Sequence, residues 1–141
     1  MITGRLKVCL NDMRLQKLKY ILYATGIAML LHTIEEYMTK LYDTDFFIVA
    51  FSRYFNVRPI STYTGIQILV LSFILVMLVL SLNGKFNKVL GIALGLIYVG
   101  ELSHPYIVIM VGGYYSGLYT GILLVIIGYF YWKEVIKLNC K

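Results

Sequence analysis

The chain has 141 residues, 60% of them hydrophobic and only 14% charged, with a net charge of +6. Soluble domains sit nearer half apolar and a quarter charged, and one domain of this length has no core large enough to hide the surplus from water. The positive charge does not mark a nucleic-acid binder. Lysine and arginine fall outside the apolar stretches, as membrane topology requires, and leave no basic face interleaved with aromatics.

Residues 1–19 carry Arg5, Lys7, Arg14, Lys17 and Lys19 and read as a basic cytoplasmic segment resting on anionic headgroups, with Asn11 as a helix N-cap. Cys9 and Cys140 lie near opposite ends of the chain on the expected cytoplasmic side and read as free thiols. The first apolar run starts near Tyr20 and passes into charged residues without a small-residue cleavage site, so a cleavable signal peptide is not expected.

The uninterrupted part of that run, Tyr20–Leu31, is too short to cross, because the hydrocarbon needs about 20 residues. A first span over 20–40 must therefore carry His32, Glu35 and Glu36 into the membrane. Residues 43–58 combine Phe46, Phe47, Phe51, Tyr54 and Phe55 with Arg53 and Arg58, and predict an interfacial helix on the outer surface that ends at Pro59; Asp43 and Asp45 read as solvated.

A second span is expected over 60–82, aliphatic from Ile68 onward, followed by a turn at Asn83-Gly84-Lys85. The third, 89–111, is broken by Glu101, Ser103, His104 and Pro105. The proline has no amide proton, so the Glu101 carbonyl loses its helix partner and a kink is expected there. Gly112 and Gly113 make an outer turn before the fourth span, 115–132, and a basic tail, 133–141. Tyr63-Thr64-Gly65-Ile66 and Tyr119-Thr120-Gly121-Ile122 form a faint repeat between the second and fourth spans.

With both termini inside, ten of the thirteen Lys and Arg residues fall on the cytoplasmic side: five before the first span, two between the second and third, three after the fourth. Lys40, Arg53 and Arg58 remain outside. The expected architecture is thus an all-α, four-helix bundle with N-in/C-in topology, a multi-pass protein of the cell membrane.

Residues three and four apart share a helix face. His32, Glu35 and Glu36 therefore project within about 100° of arc, and Glu101 and His104 share a face of the third span. Lys19 to His32 and Lys88 to Glu101 are both thirteen residues, about 20 Å of rise, so both groups reach one level. A charge there costs at least ~2.5 kcal/mol, and the spans hold no lysine or arginine to neutralise three glutamates. Protonation, pairing with imidazolium or a bound cation remain. A divalent metal (zinc, iron or manganese) handles all five groups together, as Glu-x-x-His pairs do in helix bundles.

The ligand set expected is His32, Glu36 and His104, with Glu35 and Glu101 as the further ligand and the acid/base; one metal or two fit equally. Tyr63, Thr64 and Gln67 of the second span and Tyr115, Ser116, Tyr119 and Thr120 of the fourth line the same half and serve as substrate or supporting contacts. Taken alone, His32, Glu35 and Glu36 also fit the end of a short helix, Glu101 and His104 a structural hydrogen bond, and the tyrosines ordinary interfacial aromatics.

His32, Glu35 and Glu36 form an H-x-x-E-E motif at the end of the first apolar helix. Downstream, His104 is followed by an aromatic–glycine turn and Tyr115-Ser116-Gly117-Leu118-Tyr119-Thr120. From about residue 20 to 130 the chain resembles the HXXEE-domain family of small integral membrane proteins, with Ser116 where members often carry proline. The resemblance implies a membrane protein with this site and leaves the reaction open. The function expected is a metal-dependent membrane enzyme acting on lipid or another hydrophobic small molecule, hydrolysis preferred over oxidation. A proton- or cation-coupled transporter or channel, a bis-histidine haem protein through His32 and His104, and a non-catalytic partner subunit are the alternatives. Metal identity, substrate and oligomeric state stay open.

Overall fold

The computed structural model describes residues 2–137, with side chains from Met13 onward except Val111. The chain runs α1 Ile2–Met38, α2 Leu41–Thr44, α3 Phe46–Tyr54, α4 Pro59–Leu82, α5 Lys88–Gly100, α6 Ser103–Val111 and α7 Leu118–Lys137. The fold is all-α. Three helical segments, Pro59–Leu82, Lys88–Met110 and Leu118–Lys137, are long and apolar enough to cross a membrane, which marks a membrane protein. α1 is not among them: its two adjacent glutamates and its basic first half keep its hydropathy low.

Several boundaries differ from those expected, each for a local reason. Helix α1 begins at Ile2 and passes straight through Asn11, so Asn11 is not an N-cap. The thiols of Cys9 and Cys140 and residues 138–141 lie outside the described part. The 43–58 segment is two helices, because Asp45 adopts an extended backbone and its carboxylate accepts the Ile48 amide of α3 at 2.9 Å. Pro59 sits at the start of α4, behind an extended Arg58, where its missing amide costs nothing. Asn87 caps α5 by accepting the Val89 and Leu90 amides. Helix α7 starts at Leu118 and continues through Lys137, so residues 133–137 of the basic tail are helix.

The main packing runs from α4 to α1, from α1 to α7 and from α7 to α5 and α6, with a thinner seam between α4 and α5. α1 and α7 are antiparallel along their length. Arg14 donates to the Lys137 carbonyl, His32 meets Thr120, and Thr39 meets Ser116. One end of the bundle is filled by Leu18, Leu22, Met77, Leu94, Leu124, Tyr131 and Val135. There the helices close on glycine: a Cβ on Gly95 would lie 2.4 Å from Trp132, and one on Gly128 2.6 Å from Tyr98. At the other end Leu41, Ile48 and Tyr63 form a smaller apolar cluster under α2 and α3, with Tyr42 and Tyr115 beside it. The polar residues lie between these two clusters.

Candidate metal centre

The helix break expected at Pro105 positions half of the centre. Glu101 and Leu102 interrupt the α-helical ladder, and bonds three residues apart replace it: Leu102 N–H to Val99 C=O at 3.2 Å and His104 N–H to Glu101 C=O at 3.3 Å. The Glu101 carbonyl, deprived of residue 105, thus takes the amide of residue 104. Tighter winding brings residues i and i+3 into register, so Glu101 and His104 aim at one point. The other half comes from α1, where His32 and Glu36 are one turn apart.

His32 Nε2 lies 3.2 Å from Glu36 Oε1 and 3.1 Å from Glu101 Oε2, while His104 Nε2 lies 3.5 Å from each of the same oxygens. The imidazole centroids are 5.0 Å apart at 89°. His32 is 1% exposed, Glu36 3%, and Glu101 and His104 7% each, so water does not solvate this cluster.

The outer atoms of both rings fix their tautomers. His104 Nδ1 is 2.7 Å from the Ser116 carbonyl, which only accepts, so Nδ1–H is the donor. His32 Nδ1 is 2.8 Å from Thr120 Oγ1, whose own proton goes to Glu35 Oε2 at 2.5 Å; Nδ1–H donates here as well. In the neutral rings both Nε2 atoms are therefore lone pairs, and they face two carboxylate oxygens. Four acceptors converge with no donor among them. Glu36 Oε2 is satisfied by Tyr63 O–H and Gln67 N–H, both at 3.0 Å, and the Gln67 oxygen accepts from Thr33 at 3.1 Å, which fixes the amide's direction. Glu101 Oε2 is buried with no hydrogen-bond partner.

A positive charge completes such a site: protons on the imidazoles or carboxylates, or a cation. The four nitrogen–oxygen separations of 3.1–3.5 Å are those of imidazolium–carboxylate pairs and also those of neighbouring ligands on one cation. Ligands bound tetrahedrally at about 2.0–2.1 Å stand about 3.3 Å apart, in the middle of the observed range. His32, Glu36 and His104 each offer an atom within 4.8 Å of the others, and these are the three ligands expected from the sequence.

A family model described as a protein of unknown function with HXXEE motif matches residues 23–132. The chain belongs to this family. No curated protein and no solved structure matches it.

The motif's three polar letters do different work. The histidine and the second glutamate of HXXEE enter the cluster. The first, Glu35, turns to α7, where it accepts the Thr120 amide at 3.0 Å, the Tyr119 amide at 3.4 Å and the Tyr114 hydroxyl at 2.6 Å. It is an anion seated on a helix N-terminus. Burial and the hydrogen bond to Glu35 push the Tyr114 phenol up to about 12, so it stays a donor.

Of the supporting residues expected, Tyr63, Gln67 and Thr120 touch the cluster as described, and Tyr115 lays its ring 5.7 Å from that of His104. Thr64 is exposed and bonds the Ile60 carbonyl of its own helix, while Tyr119 gives its amide to Glu35 and lays its ring 5.6 Å from that of Tyr114. The faint repeat therefore has unequal roles: Tyr63 works in one copy and Thr120 in the other.

Thr33, Tyr114 and Gly117 were not singled out by sequence, and Ser116, expected as a contact, meets His104 through its backbone carbonyl. Gly117 has φ +78°, and a Cβ there would lie 2.7 Å from His32 Cε1 and 2.9 Å from His104 Cε1. Its signal was available, as a glycine opening a helix opposite two intramembrane histidines. The HXXEE centre also opens on one side. Glu36, Tyr63, Gln67 and His104 line a cleft of about 230 Å³ together with Ile66, Ile107, Asp45 and Phe47.

Proposed function

We propose that this chain is a metal-dependent integral membrane enzyme that hydrolyses a lipid or other hydrophobic substrate. His32, Glu36 and His104 hold one divalent metal, and Glu101 is the acid/base. α1 is the fourth span, both termini are cytoplasmic, and α2–α3 lies on the outer face of the cell membrane. The charge count supports this orientation, and the packing of α1 along both α4 and α7 supports its reading as a span.

The observation that carries the reading is the set of four converging acceptors. Two histidines and one carboxylate leave a position open, the donor set of hydrolytic zinc sites. A metal held there would supply Lewis acidity. The chain's own residues would do the rest. Glu101 Oε2, free of other partners, would take a proton from a water as its oxygen adds to the acyl carbon, and pass that proton to the leaving atom as the acyl–heteroatom bond breaks. Ser116 and the Thr120–Glu35 pair hold the imidazoles in the tautomer that presents Nε2. Tyr63 and Gln67 occupy one oxygen of Glu36 and leave the other for the metal. Glu35 is a positioning residue and not the acid/base.

The test is product release from lipid vesicles containing the purified protein, assayed across ester- and amide-linked lipids. Turnover stops with a chelator and returns with zinc, iron or manganese. Glu101→Gln lowers it at least 100-fold while metal content stays. Hydrolysis indifferent to both would defeat the proposal.

One observation favours a second reading, a proton-coupled transporter. Hydrogen bonds run unbroken from Tyr114 through Glu35 and Thr120 to His32. Proton flux in vesicles without lipid turnover, lost in Thr120→Val, would select it.

A further inference from the structure

The cleft beside the centre shows where its substrate comes from. It is bounded by Ile66 and Gln67 of α4, by His104 and Ile107 of α6, and by Asp45, Phe47 and Ile48 under α3. α6 packs on α7 and has no comparable packing with α4, so the bundle is parted along this side. The cleft lies between α4 and α6, which belong to the segments Pro59–Leu82 and Lys88–Met110 that are long and apolar enough to cross a membrane. Its volume of about 230 Å³ falls below the roughly 300–1,000 Å³ of sites that enclose a whole small molecule. An occupant therefore seats one segment and leaves the rest outside, in the bilayer.

The walls are mixed in chemistry. Glu36, His104, Tyr63 and Gln67 belong to the candidate centre, Ile66, Ile107, Ile48 and Phe47 are apolar, and Asp45, Ser103 and Tyr115 add polar groups. The roof carries Phe46, Phe47 and Phe51 largely exposed, a wedge of aromatics suited to the interface.

We infer that this cleft is a lateral portal for a bilayer phospholipid, one acyl chain of which enters between Ile66 and Ile107 with its carbonyl end at His104 and Glu36. The inference names the substrate class for the reading above and rests on it only for the reaction; the portal stands or falls by itself. Entry from the side removes the need to lift an apolar chain through water, which costs about 0.8 kcal/mol for each methylene.

The full chain is reconstituted in phosphatidylcholine vesicles containing phosphatidylcholine with a diazirine in the upper part of one acyl chain. After irradiation, adducts are mapped by mass spectrometry. Tyr63, 2% exposed, and Tyr129, 65% exposed, provide chemically identical reporters. The portal predicts that buried Tyr63 is labelled at least as strongly as exposed Tyr129. Ile66→Trp with Ile107→Trp lowers labelling of Tyr63 several-fold and leaves Tyr129 unchanged, whereas Ile66→Ala with Ile107→Ala, which widens the cleft, raises it.

Labelling confined to exposed tyrosines in the wild-type chain overturns the portal, whatever the variants do. So does labelling of Tyr63 that neither pair changes while both pairs remain folded. Metal content is measured on the same samples. Cleft-selective labelling of metal-free protein keeps the portal and removes the metal-dependent enzyme; a metal-loaded chain with unlabelled Tyr63 does the opposite.

Discussion

Gly117→Ala isolates the link between the chain's path and the centre, because no polar group of the site is altered. Two costs add. A non-glycine residue at φ +78° gives up about 1–2 kcal/mol. Its Cβ would also stand 2.7 and 2.9 Å from the two imidazoles, where carbon contacts prefer roughly 3.5–4.0 Å. Relieving that overlap displaces rings held through Nδ1, an overpacking cost of about 1–3 kcal/mol. The total is about 2–5 kcal/mol, and the displaced Nε2 atoms no longer share one point.

The assay is thermal unfolding of purified protein in detergent, with and without added divalent metal. Gly117→Ala is expected to unfold at a lower temperature and to lack the metal-dependent rise expected of the wild-type chain. Gly26→Ala is the control, since a Cβ there meets nothing within 4 Å; helix propensity makes it neutral or stabilising by up to about 1 kcal/mol. Gly117→Ala with an unchanged midpoint and an unchanged metal response would refute the reasoning.

Gly95→Ala and Gly128→Ala, far from the centre, destabilise by about 1–3 kcal/mol through Trp132 and Tyr98 while metal stoichiometry holds, which unfolding and elemental analysis on one sample check. Tyr63→Phe and Gln67→Leu each remove a donor from Glu36 Oε2 and lower metal affinity about 10–100-fold, read by competition with a chromogenic chelator. Thr120→Val weakens the metal by a similar factor, because His32 Nδ1–H then lacks an acceptor; Thr120→Ser restores it.

Much of the centre was legible because hydrocarbon makes ionisable residues conspicuous. His32, Glu36, Glu101 and His104 stood out against apolar flanks, and matched distances from Lys19 and Lys88 put them at one level. Helical spacing could not say which glutamate of the motif faces inward. Glu35 and Glu36 differ by 100° around the axis, and the choice between them depends on the docking of α7, a tertiary fact. The roles of Ser116 and Thr33 escaped for a related reason: a backbone carbonyl has no letter, and a threonine that orients an amide looks like any other. The kink at Pro105 was foreseen, but its outcome, a 3₁₀-like turn that aligns Glu101 with His104, depends on how the freed carbonyl is satisfied. Asn11 shows the limit of local signals, since a good capping residue inside a longer helix caps nothing.

The central claim is that two imidazoles and two carboxylates converge in order to hold a cation. Elemental analysis of the protein purified from membranes, alongside His32→Ala and His104→Ala variants that retain their helical content, tests it most directly. The account predicts one divalent metal ion per chain in the wild type and less than a tenth of that in either variant. A folded wild-type chain that carries no metal and takes up none from zinc, iron or manganese solutions would contradict it.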